Sequence, residues 1–518
     1  MKESFRQSMA SLHTWTGLLP GWVCFAIFLF GTSVFFLSEI SQWMRPELRS
    51  APVSSQARDA AEAWLERNGA QAESWNLSLS GSRNGNGFTV AWIPRGGEWS
   101  QRQEVTLDPE TGRELAMRDT QGGVFLYAFH FQLHYLPRSS GRLLIWVASL
   151  AMLVTIVAGV ITHKKIFADF FLLRFGKGQR SWLDAHNATA VLALPFHVMI
   201  TYTGLVTLLF TLTPWAISAN FQNEDAFREA ANPSAPTITA RGETAPMLPL
   251  RRLVAIAESE WHGAQAGYIA INHPGDAASF VDLYPQDAGL GAHVQMVRLS
   301  ATTGDVLWRK PHPGPAMATQ RVMIDLHASR FAGPVLRWLY FLSGVGGTVM
   351  IASGLVLWTV KRRAKLPDPA RPHFGFRLVE RLNIGVMAGA PAGIAAYFLA
   401  NRLLSLGLAH RADWEINALF IAWGGVFVWT LARPAKRAWV EALAACAALY
   451  ALVPVVNAAT TTRGLVPSLI AHDWLFVVFD LVMLVMAAAC AFTAWKVAHH
   501  TPKPAPRRQP RERTEATA

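Results

Sequence analysis

Residues 183–206 read LDAHNATAVLALPFHVMITYTGLV, 24 positions that carry one carboxylate, no basic side chain and two histidines. Extended to residue 213, the apolar run that begins at Ala188 exceeds the roughly 20 residues a helix needs to cross a bilayer. A histidine inside such a run is costly to insert and defaults to a functional reading. His186 and His197 are eleven residues apart, about 1100° on a helix and about 16 Å along its axis. A continuous helix would therefore present both on one face at different depths.

The rest of the chain has the same character. Its 518 residues are 51% hydrophobic and 16% charged, with a mean hydropathy of +0.21, against about 25% charged in soluble domains. That excludes an all-soluble protein. Charge-poor runs of bilayer length fall at residues 17–37, 143–162, 188–213, 335–360, 382–400, 416–432, 438–456 and 474–495. The expected fold class is a membrane all-α helical bundle of about eight spans. Lys2 and Arg6 precede the first run as in a secretory signal, but no small-x-small site follows Phe36-Leu37-Ser38-Glu39, so it reads as an anchor.

The net charge of +12, from 47 Lys and Arg against 35 Asp and Glu, is distributed asymmetrically. Lys164, Lys165, Arg174, Lys177, Arg180, the run Lys361 to Lys365, Arg433, Lys436, Arg437 and the tail PRRQPRERTEATA share one side, while Arg402, Arg411 and Arg463 occupy the short loops opposite. The positive-inside rule puts both termini in the cytoplasm, with lipid as a partner and no nucleic acid needed to explain the charge. Cys24, Cys446 and Cys490 all lie in apolar runs, which excludes a disulfide framework and a cysteine-based zinc or iron–sulfur site.

Two long segments lie between the spans. Residues 55–67 are helix-patterned and 75–79, 88–93 and 103–107 alternate like strands, closed by Asp108-Pro109-Glu110-Thr111-Gly112. The order repeats with a helix at 250–261, strands at 266–271, 279–284 and 294–299, and the turn Ala301-Thr302-Thr303-Gly304-Asp305. The expected organisation is a first span (1–40), a periplasmic α+β module (41–135), two spans with a cytoplasmic loop (136–213), a second module (214–326) and a fourth span (327–365). A four-span extension (366–497) and a basic tail (498–518) complete it. Repetition at this scale points to a site between pseudo-symmetric halves.

Seven of the sixteen histidines mark the first four spans, and none lies within the last four. A histidine at a span end can be a plain interfacial residue, but these sort by depth. His130, His134 and His327 lie toward the outside, His13, His163 and His186 toward the inside, and His197 between. Imidazole pairs from facing helices of a bundle hold a buried iron macrocycle. Zinc or copper could use the same ligands, yet these spans supply no Asp, Glu or Cys cluster to complete a tetrahedral set. Haems stacked across the bundle would form an electron path, with Arg138, Arg142 and Arg330 outside and Lys164, Lys165 and Arg180 inside as partners for propionates.

The segments LHTWTGL (12–18), FHFQLHY (129–135), the opening stretch, and DLHASRFAGPVLRWLYFLSGVGGTVMIASGLVLWTVKRR (325–363) resemble the PepSY-associated transmembrane family. LDPETGREL (107–115) and LSATTGDVLWR (299–309) look like the closing motif of PepSY modules. The resemblance covers about residues 5–365. It implies a bacterial inner-membrane protein of the iron-uptake type, similar to di-haem reductases that pass electrons to ferric siderophores in the periplasm. It points to His13, His134, His186 and His327 as axial ligands, with His163 and His197, in the segments ITHKK and LPFH, supplying a further pair or a replacement. Two haems b are implied, three if the further pair is used.

The expected function is thus a b-type cytochrome that takes electrons from a quinol or a cytoplasmic reductase and delivers them to a ferric chelate, the chemistry being the cofactor's. No flavin or nicotinamide fingerprint is present, and Gly344-Val345-Gly346-Gly347 lies in an apolar helix, where small residues serve close packing. Two other readings stand beside it. One is a transporter using the histidines and Asp480 within the last span. The other is an anchored sensor or protease inhibitor with Trp92 and Trp99 at a partner surface.

Overall fold

The structure, a computed structural model, describes residues 4–48, 51–79, 87–163, 174, 176–286, 290 and 295–501. Lys164, Lys165 and the tail from residue 502 lie outside the described residues. Six helices are long and apolar enough to cross a bilayer: Arg138–Thr162, Pro334–Arg363, Phe374–Leu403, Arg411–Leu431, Ala435–Thr460 and Trp474–Ala498. Two bent pairs, Phe5–Leu18 with Gly21–Val34 and Gln179–Leu192 with Leu194–Thr207, bring the number to eight if each pair is one span. The chain is a multi-pass membrane protein.

The two bent pairs correct the expectation of straight first and third spans. The first bends by 60° next to Pro20, which caps Gly21–Val34, and the third by 68° at Ala193, just ahead of Pro195 in the first turn of Leu194–Thr207. Proline lacks the N–H that would continue the helical ladder, so the preceding carbonyl is released and the axis turns. The facing of His186 and His197 argued from their spacing therefore fails, because they lie on different helices.

The two α+β segments are not separate modules. Strands β1 (Ala72–Ser78), β2 (Phe88–Pro94), β3 (Gln103–Leu107), β4 (Glu114–Leu115), β5 (Ala266–Asn272), β6 (Phe280–Pro285), β7 (Val297–Ser300) and β8 (Val306–Arg309) form one antiparallel sheet in the order β4-β3-β2-β1-β5-β6-β7-β8. The halves join where β1 pairs with β5, Asn76 opposite Ala270, Leu77 opposite Ile269 and Ser78 opposite Tyr268. A constant spacing of 192 residues relates the halves, carrying Leu77 to Ile269 and Phe88 to Phe280, so those two opposed residues mark a pseudo-two-fold axis. Helices Ser55–Asn68 and Leu250–Glu260 cover one face and share a core with Leu65, Leu77, Val90, Leu253, Ile269 and Leu283. Glu62 of the first helix accepts the Leu250 backbone N–H at 3.1 Å, capping the second across the joint.

Each half ends in a tight turn. Asp108 Oδ1 accepts the backbone N–H of Glu110 and Thr111, and Gly112 sits at φ +70°, where a Cβ would also strike Ala60.

The four C-terminal spans pack against the first half through Phe30, Trp43, Phe129, Phe398 and Phe479. Their buried carboxylates are engaged. Asp480 accepts from Trp43 Nε1 at 3.2 Å and Asn457 Nδ2 at 3.1 Å, and Arg402 lies 3.8 Å over the Trp43 ring. Glu415 pairs with Arg411, both fully buried, and accepts from Thr120 and Asn401. Trp43 and Thr120 flank the first α+β half in the chain, so this network fastens its entry and exit to the extension.

Candidate functional site: two imidazole pairs

A helical carbonyl already accepts the N–H four residues on, and its second lone pair is normally screened by the side chain at that fourth position. A glycine there uncovers it. Four histidines use this device. His13 Nδ1 donates to Thr155 O at 2.8 Å, with Gly159 four residues on; His130 Nδ1 donates to Ile27 O at 2.8 Å, beside Gly31. His186 Nδ1 donates to Met350 O at 2.8 Å, beside Gly354, and His327 Nδ1 to Ile200 O at 3.0 Å, beside Gly204. A Cβ at Gly159, Gly204 or Gly354 would lie 2.9, 2.9 or 3.0 Å from the seated imidazole Cε1, and at Gly31 closer still. Since a carbonyl only accepts, Nδ1 carries the proton in all four rings, which leaves each Nε2 with its lone pair free.

The seats repeat with the chain. A spacing of 173 residues carries His13 to His186, Ile27 to Ile200 and Gly31 to Gly204. They also bring the rings into pairs drawn from both halves. The His13 and His186 ring centroids are 6.2 Å apart at an interplanar angle of 71°, on the side of the bundle away from the sheet. The His130 and His327 centroids are 6.0 Å apart at 27°, on the sheet side.

The sheet-side pair opens into a cavity of about 800 Å³ lined by Phe28, Tyr127, Phe131, Trp146, Phe196 and the three arginines Arg142, Arg330 and Arg337. Arg142 Nε, Arg337 Nε, Trp146 Nε1 and Thr201 Oγ1, all from residues lining it, are buried without a hydrogen-bond partner. Arg337 is otherwise paired with Glu39 at 2.7 Å.

These residues fit an axially held macrocycle. Two metal–nitrogen bonds of about 2 Å, with each nitrogen about 1 Å from its ring centre, separate two coaxial imidazoles by about 6 Å. Both pairs have that spacing. Among the described residues no three His, Cys, Asp or Glu side chains converge, so a compact tetrahedral ion lacks its ligand set. The orphaned donors around the sheet-side cavity match the need of a carboxylate-bearing group for cationic and N–H partners.

The other candidates stand elsewhere. His134, the expected outer ligand, is turned away from His327 and stacks on Phe420 at 5.7 Å and 13°. His163 Nε2 accepts from Asn187 Nδ2 at 2.9 Å. His197 is fully buried between Phe28 and Phe196, at ring distances of 6.0 and 5.9 Å, with its Nε2 3.1 Å from where a Cβ of Gly347 would be. Of the expected cationic partners, Arg142 and Arg330 reach the cavity, and Arg337 is one the sequence did not single out.

His130 is the residue that sequence reasoning passed over. Aligning the repeats places Leu133-His134 over Leu326-His327, which favours His134. In the structure the helix Gly122–Gln132, which carries His130, stops short of His134, with Leu133 at φ 55° and Tyr135 at φ 62°. Only the glycine at Gly31, matching Gly204, signalled a seat on that side.

The model of the PepSY-associated TM region matches residues 10–361. The chain belongs to that family. This PepSY-associated protein carries all four seated histidines inside the matched region, and the four C-terminal spans lie beyond it. It is also similar to the uncharacterized protein PA4219 of Pseudomonas aeruginosa, 27% identical over 387 residues, which cover 70% of this chain and 93% of that protein.

Proposed function

We propose that the protein is a two-haem membrane cytochrome that carries electrons through the bilayer to an acceptor on the sheet side. The ligands would be His13 with His186 for one centre and His130 with His327 for the other. The single observation that carries this is the fourfold seat: four imidazoles, each fixed through Nδ1 to a backbone carbonyl and brought together in two pairs with the spacing that a shared metal would need. When bound, haem iron supplies one-electron chemistry between its ferric and ferrous states.

The chain's own residues do the rest. The carbonyl seats fix tautomer and ring direction, as outer-shell partners of metal-bound histidine do. Ile27, Phe28, Met152, Phe196 and Ile200 give the cavity beside the sheet-side pair apolar walls. Arg142, Arg330 and Arg337 supply positive charge at the open side, where an anionic ferric chelate, as in siderophore-dependent iron uptake, would be drawn. The positive-inside pattern makes the sheet side periplasmic in the inner membrane and leaves both termini cytoplasmic. The two halves of the sheet then correspond to two PepSY-like units.

The test is an absorption spectrum of the purified protein before and after reduction, with haem quantified per chain. About two haems per chain with paired α and β bands are expected. His130→Ala and His327→Ala should each remove the same centre and leave the other, while His134→Ala should keep both. A spectrum without haem bands after expression with ample haem, or loss of a centre in His134→Ala alone, would overturn the assignment.

A further inference from the structure

The geometry points to a binding site for the ring of a membrane quinone or quinol, formed by the turn at residues 133–135 and the helix Arg411–Leu431. It rests on the proposed function and names a class of membrane electron carrier placed to exchange electrons with the sheet-side centre. His134 is exposed, and its imidazole makes no hydrogen bond to a described residue, although Phe420 lies flat against it at 5.7 Å and Phe125 meets it edge-on at 5.6 Å. Tyr135, also exposed, lies 5.0 Å from Phe420 and donates its hydroxyl to Asn417 Oδ1. Positive φ at both Leu133 and Tyr135 shows that the backbone is held in a strained turn that presents His134 to this helix.

Asn417 and Trp423 lie six and twelve residues into the Arg411–Leu431 span, about 9 and 18 Å from its end, which is bilayer depth. A ligand arriving there comes through lipid. The cluster offers flat rings for stacking, an exposed imidazole that no described side chain engages and a nearby amide, the counterparts of a planar apolar ring with two opposed oxygens. It also adjoins the sheet-side pair: Phe129, next to His130, is 5.5 Å from Phe420 and 6.1 Å from Trp423. A phospholipid chain would gain nothing from the imidazole.

The experiment uses the full chain in nanodiscs with an azido-ubiquinone photoprobe and peptide mapping of the label. Labelling should concentrate on residues 129–137 and 414–424 and be displaced by a short-chain ubiquinol. It should fall about fivefold or more in His134→Leu, the worth of roughly one hydrogen bond. Tyr135→Phe, a milder change, should weaken it less, and the haem spectrum of both variants should match the parent. Label spread along lipid-facing helices, label not displaced by ubiquinol, or label unchanged in His134→Leu would overturn the site. Site-specific labelling of a protein without haem would support the site while removing the proposed cytochrome.

Discussion

The His13–His186 and His130–His327 pairs are built from the same part and set in different surroundings. Each imidazole rests on a carbonyl exposed by a glycine four residues on, and each pair draws one ring from each half of the repeat. Yet the first pair has rings at 71° and the second has rings at 27° opening into the arginine-lined cavity. The difference teaches that duplication conserved the holding device while the setting of the rings was free to diverge, in their mutual angle and in the arginines gathered at the sheet side.

The sharpest way to break this comparison is to remove one ring at a time. His13→Ala and His186→Ala should each lose about half of the haem and retain the sheet-side bands, whereas His130→Ala and His327→Ala should do the converse. Identical residual spectra from all four would dissolve the distinction. Next in size is Glu415→Gln, which leaves the buried Arg411 without its charge partner. A loss of about 3–5 kcal/mol is expected on breaking such a pair, read as a lowered melting temperature with both centres intact. Were the spectrum to change first, the extension would be part of the cofactor site and not only its support.

Gly204→Ala and Gly354→Ala test the seats themselves. A methyl group at either position collides with the seated ring, and overpacking costs about 1–3 kcal/mol. Each should lower occupancy of its own pair alone, Gly204→Ala at the sheet side and Gly354→Ala at the far side, measured by haem content per chain. The smallest effect is expected from Arg142→Gln, which should lower the potential of the sheet-side centre and leave the other unmoved in a redox titration. Electron paramagnetic resonance refines the contrast without mutation, since the far-side centre, with its more nearly perpendicular rings, should show the larger maximum g value.

Much of this was legible in the chain. Long uncharged runs announce spans because a bilayer admits little else, and the recurrence of Asp-Pro-Glu-Thr-Gly as Ala-Thr-Thr-Gly-Asp exposed the duplication. The histidines' restriction to the first four spans pointed to the part of the chain where the structure pairs their rings. What could not be read were features set by three-dimensional partners. The break at Ala193 moved His197 off the face of His186, because a proline in an apolar run can kink a span or be absorbed by it. The choice of His130 over His134 turned on positive φ at Leu133 and Tyr135, which no side-chain pattern requires. The fusion of two sheets was hidden because β1 and β5 have ordinary strand patterns, and an edge becomes a centre only when its counterpart arrives.

That joint at Leu77 and Ile269 has a consequence for how the molecule can be divided. A polypeptide that stopped near residue 213 would carry β1 as an open edge and, being its own match about the axis, would pair with a second copy of itself. The long chain is thus a dimer written on a single gene product. A stop at that point would divide His130 from His327, and it would leave His13 and His186 on one piece with the Met350 carbonyl that seats His186 on the other.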